Sequence, residues 1–319
     1  MTNNDEHYMR MAFTLAKKGV GYTSPNPIVG AVIVKGNTVV AKGYHHKAGA
    51  AHAEIDALKK AGDKAEGACL YINLEPCCHQ GKTGSCVEAI IKRKVARVVI
   101  AMPDPNPLVN GQGIKQLKKV GIEVTVGVLQ SEAERLNEIF IKYITTGLPF
   151  VILKVALTLD GKIATKHRDV QDLNTDECKQ ALHELRNQVD ATLVGIGTIL
   201  RNNPQLTTRL VKHKASDPDR IIIDSLLKVP VRANIFTQKS AARNIIVTTR
   251  FFSPGRREEI EKAGATVWEI DSFARNKINL RSLVHTLGKK GYTSLMIEGG
   301  AEISASALME GIVDKAVFL

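Results

Sequence analysis

The stretch LEPCCHQGKTGSC, Leu74 to Cys86, places three of the chain's five cysteines and a histidine in one short connection behind Glu75-Pro76. Three chemistries use sequence of this kind: a disulfide staple, a loop that cradles phosphate, and half of a metal site. A staple suits small exported domains in oxidising surroundings. This chain has 319 residues, 44% of them hydrophobic, which is enough for a core without cross-links. Its opening residues, MTNNDEHYMRMAF, carry acidic groups and no apolar run, so they do not read as an export signal. A reducing cytoplasm is expected, where clustered cysteines favour metal binding or catalysis. The phosphate loop fails on spacing. A glycine should stand five residues before the Gly81-Lys82 pair, and Pro76 stands there instead.

Metal binding remains. A catalytic zinc site takes three protein ligands, imidazole or thiolate, and keeps a fourth position open. The missing imidazole stands upstream in His52-Ala53-Glu54, at the start of AHAEIDALKKAG. His-x-Glu, then Pro-Cys, then a further Cys, is the pattern of zinc-dependent nucleobase deaminases. The spacing here departs from Pro-Cys-x-x-Cys: position 80 is Gln80, and eight residues lie between Cys77 and Cys86. Adjacent side chains point apart, so Cys77 and Cys78 do not both reach one ion. His52, Cys77 and Cys86 are assigned as ligands, with Cys78 structural. Two thiolates and a neutral imidazole balance Zn²⁺, which acidifies a water. Glu54 is then the proton carrier between that water and a departing amine. One geometric point resists: residues two apart on a regular helix point about 200° apart. His52 and Glu54 share a site only if the helix begins irregularly.

Outward from this loop the chain alternates helix and strand. MRMAFTLAKKG, AHAEIDALKKAG (closed by Gly62), CVEAIIKRK and GIKQLKKVG read as helices. IVGAVIV, TVVAKGYH, ACLYINL, ARVVIAM and GIEVTVGV read as strands. SEAERLNEIFIKYITTG reads as one longer helix, with Ser131 and Glu134 in capping-box spacing. Gly147-Leu148-Pro149 breaks the pattern and sets a boundary between domains 1–146 and 147–319. Beyond it FVILKVALTLDGKIA, ATLVGIG, RIIID, NIIVTT, ATVWEI and SLMIEGG supply further strands. Both halves are α/β.

The formal net charge is +12, yet the basic residues are scattered and only 5% of residues are aromatic. Single-strand platforms need aromatics clustered beside the basic groove. A small anionic substrate is therefore the better partner, with no nucleic acid. No apolar run is long enough to span a membrane.

Thr23-Ser24-Pro25-Asn26-Pro27, IVGAVIV, HKAGAAHAE, LEPCCHQGKTGSC and AMPDPNP together resemble the bifunctional deaminase/reductase family of riboflavin biosynthesis, over essentially the whole chain. The resemblance implies a cytidine-deaminase-like three-layer domain followed by a dihydrofolate-reductase-like domain. It implies zinc-dependent hydrolysis of the 2-amino group of 2,5-diamino-6-ribosylamino-4(3H)-pyrimidinone 5′-phosphate, then NADPH-dependent reduction of the ribosyl group to ribityl. Asn26, His45, Lys82, Asp104 and Asn106 would line the deaminase pocket, with Lys82 pairing the substrate phosphate. Lys154, Arg186, Leu206, Arg209 and Glu298 would contact the reductase substrate, and Ala156, Thr198, Asn202, Ser225, Gly299 and Gly300 the NADPH. Family resemblance also suggests a homo-oligomer.

Read from the residues, Gly299-Gly300 after a strand permits close backbone approach to a phosphate. Neither Gly195-x-Gly197 nor Gly111-x-Gly113 completes a Rossmann fingerprint, so NADPH rests on the resemblance. The second domain departs from the family in three places. The usual Ser-x-Trp-Ile-Thr is replaced by Val170-Gln171-Asp172-Leu173-Asn174, which loses an aromatic and gains a carboxylate. The usual Asp-Asp-Pro is Asn202-Asn203-Pro204, and the chain stops at DKAVFL, which suggests a sheet missing its last strand or a shortened chain. The alternatives are a deaminase with a degenerate reductase domain, a deaminase acting on nucleic acid, and a structural zinc module.

Overall fold

The computed structural model describes residues 3–78, 84–107, 109–163, 175–211, 216–274 and 277–319. Contacts divide the chain into two units, Met1–Thr146 and Gly147–Leu319.

The first unit runs α1 (Asn3–Ala16), β1 (Gly30–Lys35), β2 (Thr38–Tyr44), α2 (Ala53–Ala61), β3 (Cys69–Ile72), α3 (Cys86–Lys92), β4 (Arg97–Ile100), α4 (Gln112–Lys119), β5 (Glu123–Val126), α5 (Gln130–Leu136) and α6 (Glu138–Thr146). Its sheet has the order β2-β1-β3-β4-β5. β1 is antiparallel to both neighbours, and β3, β4 and β5 are parallel.

Two glycines fix the layers. A Cβ on Gly30 would lie 2.1 Å from the Ala12 carbonyl oxygen of α1. A Cβ on Gly43 would lie 2.4 Å from the Ala53 oxygen and 2.5 Å from the Ala57 nitrogen of α2. Gly43 pairs with Ala31, so it shares Ala31's face and not that of Gly30. α1 and α2 therefore cover opposite faces of the sheet, which makes three layers. The glycines let each helix lie directly on the backbone.

SEAERLNEIFIKYITTG differs from its reading as one helix. α5 is capped by Leu129 in a left-handed conformation (φ 58°), with no side-chain cap, so Ser131 lies inside the helix and the capping box does not form. The helix then ends at Asn137. The reason is tertiary: the Asn137 side chain accepts the Ile28 N–H (3.0 Å) and donates to the Ile28 carbonyl (3.2 Å).

The second unit runs β6 (Phe150–Val155), α7 (Asp176–Gln188), β7 (Ala191–Gly195), α8 (Ile196–Asn202), β8 (Asp219–Ile223), α9 (Asn234–Thr237), β9 (Asn244–Thr248), α10 (Pro254–Lys262), β10 (Ala265–Glu269), β11 (Ser272–Ala274), β12 (Lys277–Ile278), α11 (Leu280–Lys289), β13 (Ser294–Gly299), α12 (Ala301–Met309) and β14 (Lys315–Phe318). β11 and β12 form a small antiparallel ribbon. The other seven strands form one sheet in the order β10-β9-β8-β7-β13-β6-β14, every pair parallel. Parallel strands are covered on both faces, which is why NIIVT of β9 is buried throughout. The chain steps outward from β7 to β10 and then returns, so β13 inserts between β7 and β6. Crevices at the carboxyl ends of strands where the order reverses are the usual ligand sites of such sheets.

One expectation changes here. FVILKVALTLDGKIA is a strand only as far as Val155, because turn residues follow from Leu159. The terminal DKAVFL is itself an edge strand: β14 pairs with β6 from Lys315↔Ile152 to Phe318↔Val155. The apolar end is thus an ordered part of the sheet. No helix among the described residues is long and apolar enough to cross a membrane.

Candidate functional site

α2 lies so close to β2 at Gly43 that its N-terminus is fixed over one end of the sheet. His52 is its N-cap, with extended backbone (φ −69°, ψ 160°), and Glu54 is in its first turn. The 200° objection disappears because His52 stands outside the helix. Cys86 begins α3, whose N-cap Ser85 accepts the Glu88 N–H. The Cys77 carbonyl accepts the Val87 N–H (3.2 Å) and the Ser85 hydroxyl (3.3 Å), which ties the loop to the α3 N-terminus.

These segments converge on three donors. His52 Nδ1 lies 3.2 Å from Cys86 Sγ and 3.6 Å from Cys77 Sγ, and all three donor atoms lie within 4.8 Å of one another. Tetrahedral zinc with bonds of ~2.0–2.3 Å separates its ligands by roughly 3.4–3.8 Å. One imidazole, two sulfurs and this spacing fit that ion. Contact with the Cys86 thiol and with His52 pulls the Cys77 thiol down to about 4. Cys86 is pushed up, as the donor in that contact and by burial. Glu54 is 3% exposed and its carboxyl reaches the Cys86 thiol. Burial raises its pKa above the usual carboxylate range, against the pull of its own backbone N–H and of His52.

A cavity of about 330 Å³ opens over this cluster. It is lined by Asn26, His45, Asp104 and Asn106, with Pro25, Pro27, Val29, Leu74, Glu75 and Val109 between them. His45 Nδ1 contacts the Ala51 carbonyl (3.0 Å), which leaves Nε2 to accept from the Asn26 amide (3.1 Å). Burial lowers the His45 pKa, against the Ala51 hydrogen bond and helped by His52. The Asn26 segment is fixed behind: buried Asn73 accepts the Gly30 N–H (2.8 Å) and donates to the Ile28 carbonyl (3.0 Å). Of the five pocket residues expected from sequence, four line the cavity. Lys82 falls outside the described residues.

Sequence reading missed Phe140, Tyr143 and Ile144 of α6, which form an apolar wall of the cavity. Their i, i+3, i+4 spacing reads equally as a core-facing stripe. It also missed Glu75, whose side chain holds backbone rather than substrate.

In the second unit Lys154 and Glu298 lie toward the carboxyl ends of β6 and β13, and Arg186 joins Glu298 there. Glu298 accepts Arg186 Nε (2.8 Å) and Nη2 (2.7 Å), and Thr192 also donates to it. Arg186 Nη1 donates to the Thr207 carbonyl (3.0 Å). Burial raises the Glu298 pKa, but Arg186 and Lys154 outweigh it and hold the carboxyl below its ordinary value. Buried Lys154 is lowered by desolvation, opposed by Glu298 and helped by Arg186. His183, unremarked in the sequence, accepts the Arg209 N–H (3.1 Å) and is lowered to about 4 by burial and by Arg186 and Arg209. Leu206 packs in the core, 3% exposed with φ 55°, so its side chain faces away from solvent.

Gly299 ends β13, and Gly300 (φ 94°) caps α12. A Cβ on Gly299 would stand 3.5 Å from Thr198 Oγ1, so these two expected cofactor residues are neighbours. The backbone turn, the open α12 N-terminus and the Thr198 hydroxyl fit a dinucleotide diphosphate. Ala156 and Ser225 follow the ends of β6 and β8, and Asn202 is exposed at the end of α8. The Val170–Asn174 substitution, with Asp172, lies outside the described residues.

Comparison with known proteins finds a different family model in each half of the chain. The cytidine and deoxycytidylate deaminase zinc-binding region matches residues 2–102, and the RibD C-terminal domain matches residues 149–319. Riboflavin biosynthesis protein RibD of Aquifex aeolicus is 43% identical over 98% of this chain and 85% of its own length. The Escherichia coli K12 protein of the same name is 36% identical over 98% and 86%. Acinetobacter baumannii RibD (form 1) superposes with a TM-score of 0.87 at 36% identity, covering 99% of this chain and 86% of that one. The diaminohydroxyphosphoribosylaminopyrimidine deaminase/5-amino-6-(5-phosphoribosylamino)uracil reductase of Thermotoga maritima gives 0.84 at 37% identity, with the same coverage. This chain belongs to the RibD family, and joins a zinc-binding deaminase domain to a reductase domain of riboflavin biosynthesis.

Proposed function

We propose that the first unit deaminates a phosphorylated 2,5-diaminopyrimidine at the His52–Cys77–Cys86 centre, and that the second reduces the ribosyl group of the product with NADPH. The observation that carries the reading is the convergence of imidazole, two sulfurs and a buried carboxyl under one cavity. His52 Nδ1, Cys77 Sγ and Cys86 Sγ would hold zinc and leave its fourth side toward the cavity. The ion when bound supplies a water acidified enough to attack at neutral pH. Glu54 takes a proton from the attacking water and returns it to the 2-amino group, which leaves as ammonia while the ring carbon gains oxygen. Its raised pKa suits a group that must both accept and release that proton. The Asn26 amide, with Asp104 and Asn106, offers the donors and acceptors that recognise a pyrimidine edge. The apolar wall of Phe140 and Ile144 excludes water from it. Lys82 would pair the substrate phosphate.

In the second unit Gly299, Gly300 and Thr198 would hold the NADPH diphosphate, with Ala156, Asn202 and Ser225 as further contacts, and the cofactor when bound supplies the reducing equivalents. Glu298 offers an acceptor to sugar hydroxyls, and Arg186 holds it in place. Lys154 stands beside the pair as a further substrate contact, and Arg209 offers charge to the phosphate. The cytoplasm is the expected setting for such an enzyme. A homo-oligomer is the expected form, and light scattering on a sizing column checks it.

The test is Glu54→Gln. It should retain about one zinc per chain and lose ammonia release, while NADPH oxidation with deaminated substrate continues. Undiminished ammonia release would remove Glu54 from the reaction.

A further inference from the structure

We propose that Glu75 is a positioning residue of the deaminase, pinning the segment that carries Asp104 and Asn106 to the metal-binding loop. Glu75 stands two residues before Cys77 and is 3% exposed. Its Oε2 accepts the backbone N–H of Asp104 (3.0 Å) and of Gly111 (2.9 Å), and its Oε1 accepts that of Ile114 (3.1 Å). One oxygen therefore gathers both ends of the segment. The other reaches into the first turn of α4, whose N-cap Gly111 has no side chain to do this.

The carboxylate thus does the work of a capping box from outside the helix. The fit is close: a Cβ on Gly113 would lie 2.3 Å from the Pro76 carbonyl oxygen. Within the segment, Asp104 Oδ1 accepts the Asn106 N–H (2.9 Å), and the Asn106 carbonyl accepts the N–H groups of Val109 (2.9 Å) and Asn110 (3.0 Å). Glu75 is a carboxylate that ties both Asp104 and Gly111 to the metal loop. Glu75 also donates its own N–H to the Met102 carbonyl (3.0 Å), so strand end, metal loop and turn share one residue. Shifting this anchor moves Asp104 and Asn106 relative to Cys77 without touching a ligand.

The inference rests on the reading that Asp104 and Asn106 bind the pyrimidine, and a double-variant cycle separates the two. Glu75→Gln, Asp104→Ala and their combination are assayed for ammonia release, bound zinc and NADPH oxidation by the same chain. Glu75→Gln should raise KM for the pyrimidine about tenfold, with kcat within roughly threefold of wild type and zinc retained. In the Asp104→Ala background its effect should shrink to about threefold, the share left to Asn106. Gly113→Ala, which forces α4 off the Glu75–Pro76 backbone, should give the same KM signature and stands in if Glu75→Gln does not fold. An unchanged KM, loss of zinc in place of the KM effect, or an undiminished effect in the Asp104→Ala background overturns the positioning role. If Asp104→Ala alone leaves KM untouched, the pocket assignment fails and takes this role with it.

Discussion

Gly43→Ala tests how the fold sets the metal centre. Gly43 lies in β2, and no left-handed backbone is recorded there, so alanine costs nothing locally. The cost comes from α2. The added Cβ would sit 2.4 Å and 2.5 Å from two backbone atoms of that helix, where ordinary contact begins at 3.4 Å. Backbone atoms cannot rotate away, so the helix must retreat by about 1 Å, at roughly 1–3 kcal/mol for an overpacked interface. His52 immediately precedes Ala53, one of the two residues struck, and moves with it. Metal–ligand distances tolerate only about ±0.2 Å. Zinc affinity should therefore fall by about 10–100-fold, the range seen when support behind a ligand is lost. Competition against a chromophoric chelator measures this, with urea unfolding alongside. Gly255→Ala is the control, because its Cβ meets nothing within 4 Å. Wild-type zinc affinity in Gly43→Ala would refute the claim that the α2–β2 contact places His52.

The second unit yields two further predictions. Glu298→Gln leaves the buried Arg186 guanidinium without its carboxylate and should cost about 3–5 kcal/mol in that unit's unfolding transition, with Arg186→Met/Glu298→Leu recovering part of it. His183, 4% exposed and lowered to about 4, makes stability fall with acid. The unfolded chain takes up this proton first, from its ordinary value near 6.5, so the contribution is complete above that pH and is lost as pH falls toward 4. The loss is on the order of 1–3 kcal/mol, and His183→Gln should flatten it in urea midpoints compared at pH 4.5 and 7.5.

The metal ligands were legible because chemistry restricts them: few residue types bind zinc, and their order along the chain is a pattern. What the sequence hid was the backbone that presents them. Helical periodicity set His52 and Glu54 on opposite sides, and only the N-cap conformation of His52 brings them together. The break between α5 and α6 was unreadable because Asn137 binds Ile28, 109 residues away. The capping box at Ser131 and Glu134 was a local match that the left-handed Leu129 displaced. Glu75 looked like part of a motif, and its three backbone partners lie 29 to 39 residues further on. In the second unit six strands of the large sheet were plain from apolar runs, whereas KAVF of β14 was not read as a strand. Their order was not plain, since nothing local says that β13 returns between β7 and β6.

The account turns on three protein ligands and one open side at zinc. X-ray absorption at the zinc edge of the purified chain measures this directly. It should show one nitrogen near ~2.0 Å, two sulfurs near ~2.3 Å and one exchangeable light ligand that a pyrimidine inhibitor perturbs. Four protein donors, or a third sulfur from Cys78, would describe a closed structural site and contradict it.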